Sequence, residues 1–204
     1  FQPLACTPTG ATLASAGATS VFRDFGAVPA TWYAAALTKG ITAVDVNAPA
    51  GTDIVTRFNG AIGVDPNCLV GQDWYYGLDG LTPPGTINFL NVVMHEMSHG
   101  LGVQGFENIN SGAFLAGFPS IYSRYAADNT VGSTTSIADL PSNAARVAAF
   151  RRDGSLVWAG PNVFAEAPGV LGNRVDLNVL SPPAAAGFYE FFPGAIGPAA
   201  TVAN

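Results

Sequence analysis

The chain has two histidines, His95 and His99, four residues apart, with Glu96 directly after the first, in "VMHEMSHGLGVQG" over residues 93–105. On a helix of about 3.6 residues per turn, positions i and i+4 are stacked neighbours on one face. Both imidazoles can then offer a nitrogen to one metal ion at about 2.0–2.1 Å. Zinc is the natural guest for that pair. Glu96 lies about 100° round the helix, too displaced to ligate well but placed to hydrogen-bond a water polarised by the metal. That is the position of a general base in hydrolysis: the carboxylate takes the proton as a carbonyl is attacked, then passes it to the leaving amine. Two randomly placed histidines fall four apart in about one chain in a hundred, and a glutamate at the required place is roughly fifty-fold rarer, so a chance pair on a solvated helix face is the weaker reading.

A catalytic zinc has three protein ligands and an open position. Gly102 matches the glycine of the extended pattern HExxHxxGxxH, but the next slot is Gly105, which has no side chain to bind metal. With no other histidine in the chain, a third ligand from within it must be a carboxylate. The downstream candidates are Glu107, Asp128, Glu166, Asp176 and Glu190, and spacing does not choose among them.

The motif needs a helix to hold it. The stretch from Ile87 to about Leu101 supplies one, with Leu90, Val93, Met97 and Leu101 recurring every three or four residues as an expected core-facing stripe, and Gly100 and Gly102 ending it. Further helices are expected in "TWYAAALTKG" (31–40) and "PSNAARVAAFRRDG" (141–154). Strands are expected in "TSVFRDF" (19–25), "TDIVTRFNG" (52–60) and "DWYYGLDG" (73–80). Strands crowd the first half and helices follow, which is an α+β order rather than a βαβ alternation. The short Pro/Gly/Ser/Thr-rich pieces read as surface loops of a single domain spanning 1–204, since nothing repeats and no long linker is visible.

Only 11% of the residues are charged, 49% are hydrophobic, and Gly (24) and Pro (15) are plentiful, which is the look of an exported protein. A net charge of -6 with no basic stripe argues against nucleic acid as partner. No apolar run approaches the roughly 20 residues of a membrane span, so a soluble chain is expected, with any export signal already removed. In an oxidising compartment, Cys6 and Cys68 are expected to form one disulfide; the alternative is a pair of buried thiols.

In order and spacing, "SVFRDF", "TWYAAAL", "DIVTRFN", "WYYGLDG", "MHEMSHGLG", "FPSIYSRYAADN", "LVWAGPNV", "APGVL" and "VLSPPAAAG" resemble secreted bacterial zincin-type metallopeptidases whose catalytic domain is interrupted or followed by a protease-associated (PA) domain. The "HEMSHGLG" tract is the specific part. The resemblance implies a zincin/metzincin-like catalytic domain with a mixed sheet and a central HExxH helix. It makes His95 and His99 zinc ligands and Glu96 the catalytic glutamate. It also implies a third ligand from a histidine-bearing segment beyond residue 204, further sequence before Phe1, and a C-terminal PA-type domain, so that the chain is a central piece of a longer protein. Met94 and Met97 both lie on the helix, which leaves no downstream methionine turn of the metzincin kind.

The leading expectation is a secreted zinc-dependent endopeptidase acting on polypeptides. Two alternatives stand beside it. One is a non-catalytic extracellular structural or assembly domain that retains the helix with an incomplete metal shell. The other is a zinc hydrolase of a non-peptide amide or ester.

Overall fold

Small side chains decide how the centre of the molecule is built. In a computed structural model that describes residues 1–25, 28–47, 51–128, 130, 135–152, 156–162 and 176–177 (the last two by backbone alone), "ASAGA" forms strand β3 (Ala14–Ala18). It pairs antiparallel with β6 (Ile54–Phe58), from Ala14 opposite Phe58 to Ala18 opposite Ile54. The branched and aromatic residues of β6 favour the extended chain, and alternate positions turn inward. Helix α2 (Phe89–Gly100) lies across this pair, touching β3 most and β6 next. Alanine and glycine on β3 leave room for it. At Gly100 the approach is so close that a Cβ there would overlap the Ile54 side chain.

The N-terminal flank is a hairpin of β1 (Cys6–Thr7) and β2 (Gly10–Ala11), joined by the Cys6–Cys68 disulfide to the loop after β6, with Cα atoms 5.2 Å apart. The expected bridge is present. Cys68 is buried with Leu13, Ile62 and Trp74, and Phe89 and Val92 of α2 pack against the same cluster. The Phe89 ring meets those of Phe1, Phe58, Trp74 and Tyr76 at centroid distances of 5.0–5.4 Å, which fastens the start of the helix.

Strand β4 (Val21–Arg23) pairs antiparallel with β5 (Trp32–Ala34), and α1 (Ala35–Thr42) follows. The helix expected from Thr31 therefore begins four residues later, because pairing with β4 holds Trp32 to Ala34 extended. The same correction applies before α2. Strand β8 (Thr86–Asn88) pairs parallel with β7 (Asp73–Tyr75), so Ile87 and Asn88 belong to a strand, and the Asn88 side chain caps the helix by accepting from the Asn91 amide at 3.0 Å.

The second half carries a four-stranded antiparallel sheet in the order β10 (Thr135–Ser136), β9 (Ala126–Asp128), β11 (Leu156–Trp158), β12 (Asp176–Leu177). Helices α3 (Ile121–Tyr125) and α4 (Asn143–Phe150) pack with it around Tyr122, Ala126, Ile137, Ala149, Phe150 and Leu156. The expected helix over 141–154 is α4, shortened at both ends, with Ser142 as its cap; Gly154 lies outside the described residues.

The α+β class is thus observed, with four helices among the described residues. In place of one mixed sheet, the described strands divide into five small sheets, four antiparallel and one parallel. Short strands interrupted by Gly- and Pro-rich loops do not extend a ladder far enough to merge. No helix among the described residues is long and apolar enough to cross a membrane.

The bridge closes a loop of 62 residues' separation, and reducing it should lower unfolding free energy by about 4 kcal/mol. Urea titrations with and without reductant measure this. A thiol count in the denatured, unreduced chain should give none; two free thiols would contradict the pairing.

Candidate metal centre

The geometry of the histidine pair begins with how α2 ends. The Gly102 amide bonds the His99 carbonyl at 3.0 Å, and the Val103 amide bonds the Ser98 carbonyl at 2.9 Å, which is the double bond of a Schellman turn. Such a turn needs a positive φ at the residue past the cap, and Gly102 supplies it at +108°. The turn folds Val103 back over the last helical turn, where its carbonyl oxygen meets Nδ1 of His99 at 3.0 Å.

That contact sets the chemistry of the ring. A carbonyl only accepts, so Nδ1 of His99 carries a proton, and in the neutral ring Nε2 then presents a lone pair. Nε2 of His95 lies 3.1 Å from Nε2 of His99, with the rings 4.6 Å apart between centroids and nearly perpendicular at 87°. Two nitrogens on one tetrahedral zinc, each at 2.0–2.1 Å, stand about 3.3–3.4 Å apart. The pair is therefore within a few tenths of an ångström of zinc-ligating separation, and one ring already has the backbone partner that ligating histidines commonly show. His95 and His99 fit zinc.

Glu96 is only 2% exposed and His99 7%, so a carboxylate and an imidazole occupy the inward face of α2 together with Gly100. The apolar stripe expected to face the core is displaced. Leu90, Met97 and Leu101 are exposed, Val93 is half-buried, and the apolar contacts of the helix come from Phe89 and Val92. The cause is the close approach at Gly100: whichever residues share that face turn inward, whatever their polarity.

Among the described residues no third His, Cys, Asp or Glu joins the pair. Glu107 is buried and turned toward the start of α3, where it accepts from the Ser120 amide at 3.1 Å. Asp128 pairs with Arg152 at 2.9 Å and accepts from Thr130. Burial pushes the Asp128 carboxyl up, but the Thr130 hydroxyl and amide and the Arg152 guanidinium outweigh it and hold it below the ordinary aspartate value. Its stabilisation is present above that ordinary value and is lost as pH falls through the depressed one. Asp176 is described by its backbone, opposite Val157, and Glu166 and Glu190 lie outside the described residues.

No protein-family model, curated protein or solved structure matches the chain.

The contribution that residue types could not reveal is the Val103 carbonyl, because a backbone oxygen leaves no mark in side-chain chemistry. Its signal was Gly102, read as a helix stop without the consequence for His99. Gly102→Ala should cost about 1 kcal/mol of stability, since alanine resists a positive φ and its Cβ would sit 3.2 Å from Leu37. By misplacing Val103 it should also weaken zinc binding about ten-fold. Zinc titration and thermal unfolding of the variant measure the two effects; unaltered affinity would mean that the carbonyl does not orient the ring.

Proposed function

We propose that the chain is the metal-binding part of a secreted zinc-dependent endopeptidase with a zincin/metzincin-like catalytic domain, His95 and His99 holding zinc and Glu96 acting as general base. The observation that carries the reading is the 3.1 Å convergence of the two Nε2 atoms with His99 already fixed through Nδ1. The Cys6–Cys68 bridge supports an oxidising compartment.

Bound zinc supplies Lewis-acid polarisation of a peptide carbonyl and lowers the pKa of water. The residues of the chain do the rest. His95 and His99 would hold the ion through their Nε2 atoms, His99 oriented by its Nδ1 contact with the Val103 carbonyl. Glu96, one residue on from the first ligand, takes the proton from the attacking water and returns it to the amine as the C–N bond breaks, so that the carboxylate is regenerated. Holding that carboxylate inside the protein keeps its proton exchange with the reacting groups rather than with bulk water. A polypeptide substrate and a PA-type domain in the full-length protein belong to the same proposal.

His99→Ala should remove most of the zinc measured by elemental analysis, and zinc content equal to wild type would eliminate the site. Glu96→Gln should keep zinc and fold while lowering hydrolysis of unfolded protein substrates by about a hundred- to ten-thousand-fold, measured on the full natural protein. A full-length, zinc-loaded wild type that cleaves nothing would overturn the peptidase reading in favour of a structural domain. Equal cleavage by wild type and Glu96→Gln would overturn the role given to Glu96.

A further inference from the structure

Asn59 is followed by Gly60, and both sit just past β6, where that strand meets the segment before β3. An asparagine followed by glycine is chemically labile. The glycine nitrogen can attack the side-chain carbonyl carbon, expelling ammonia and closing a five-membered imide, which water then opens to aspartate or isoaspartate. Glycine favours the step because it has no Cβ to obstruct the approach and its backbone is the most adaptable. Whether such a pair reacts is decided by how firmly its groups are held.

The fold holds all of them. Asn59 is completely buried. Its Oδ1 accepts from the Leu4 amide at 3.2 Å and the Ala61 amide at 2.9 Å, and its Nδ2 donates to the Thr12 carbonyl at 2.9 Å, a set of partners that also fixes which side-chain atom is nitrogen. The Asn59 carbonyl accepts from Nε1 of Trp74 at 2.9 Å. The attacking nitrogen is engaged as well, since the Gly60 amide donates to the Gln2 carbonyl at 2.9 Å and Gln2 bridges Asn59 in parallel. Of these five bonds, those to Gln2, Leu4 and Thr12 come from one segment, residues 2–12.

That segment is tied covalently at Cys6, midway along it, to Cys68. Its other ties include single hydrogen bonds from the Leu69 amide to the Thr7 carbonyl and from the Val70 amide to the Pro8 carbonyl, both 2.9 Å, and bonds of that kind contribute little net against water. Cys68 is buried, but Cys6 is only half-buried and offers its sulfur to an attacking thiolate.

We propose that Asn59–Gly60 is a deamidation site that the Cys6–Cys68 bridge keeps closed, so that reduction of the bridge by a dithiol is followed by a permanent change at residue 59. The dithiol is oxidised to its own disulfide as Cys6 and Cys68 become thiols. The loosened segment withdraws Gln2, Leu4 and Thr12. The bond from Gly60 nitrogen to Asn59 Cγ then forms as ammonia leaves, and water opens the imide. Reoxidation of the cysteines does not reverse this, because an aspartate at position 59 has no N–H for the Thr12 carbonyl and brings a carboxylate to a completely buried position. The modification is independent of the metal and of any peptidase activity.

Peptide mapping by mass spectrometry of the native chain, with and without dithiothreitol, follows aspartate and isoaspartate at position 59 against the urea-unfolded chain. The oxidised native chain should stay unmodified over the time in which the unfolded chain converts. Under the same native conditions the reduced chain should convert about a hundred- to a thousand-fold faster than the oxidised one, because loss of a bridge closing a loop of this length raises the population of the open segment by about that factor. Gly60→Ala supplies a variant that keeps the fold, since a Cβ there would meet no atom closer than 3.6 Å, and it should sharply slow conversion of the reduced chain. Equal conversion in oxidised and reduced chains would overturn the proposal, and so would conversion of reduced Gly60→Ala as fast as that of the reduced natural sequence. Conversion that begins only once the far-ultraviolet circular dichroism is lost would show global unfolding in place of release of the segment, and would overturn it equally.

Discussion

The approach of α2 to β6 at Gly100 is the constraint on which the rest of the structure depends. A helix can lie this close to a strand only where no Cβ intervenes, and the Ile54 side chain fills the space a Cβ would need. Once that point is set, the rotation of the helix is set with it. Phe89 and Val92 meet the Cys68–Trp74 cluster, and Glu96 and His99 turn inward. Strand β3 complements this with alanine, serine and glycine, whose small side chains accept the helix across the sheet. Packing at one glycine thereby dictates which polar groups are buried.

Burying a carboxylate and an imidazole is unfavourable unless each is paired, and a helix chosen for stability alone would place leucine and methionine there. The molecule does the reverse, holding the polar pair inside and leaving Leu90, Met94, Met97 and Leu101 outside. This departure from the usual segregation falls on the helix with metal-ligand spacing, where a functional constraint is expected to override hydropathy. The same rotation sets both the face that carries His95, Glu96 and His99 and the exposed apolar face opposite it.

Backbone chemistry orients the histidine pair. The Schellman turn satisfies carbonyls that the helix end would leave open, and in doing so delivers the Val103 oxygen to His99. One local motif ends the element and orients a ring. Because the two tasks share Gly102, the histidine pair and the end of α2 are mechanically one unit.

By itself the sequence determined the local pattern of the helix, with His95 and His99 one turn apart, Glu96 beside them and Gly102 at the stop, and the α+β class; the expected order of strands first and helices after does not hold, because the four-stranded sheet lies in the second half. It also supplied the two cysteines that the fold joins. These features are local, since they depend on spacings of three or four residues or on a compartment argument that needs no geometry. The rotation of α2, the extended starts at Trp32–Ala34 and Ile87–Asn88, and the division into five small sheets were decided only by tertiary structure. Hydropathy periodicity identified a stripe but could not tell its side, because the inward side is set by contact between Gly100 and Ile54, forty-six positions apart in the chain. Strand pairing likewise overrode the helical preference of "TWYAAAL", since a ladder with Val21–Arg23 satisfies backbone groups that local propensity assigns to a helix. Long-range contacts of this kind have no period for a sequence to display.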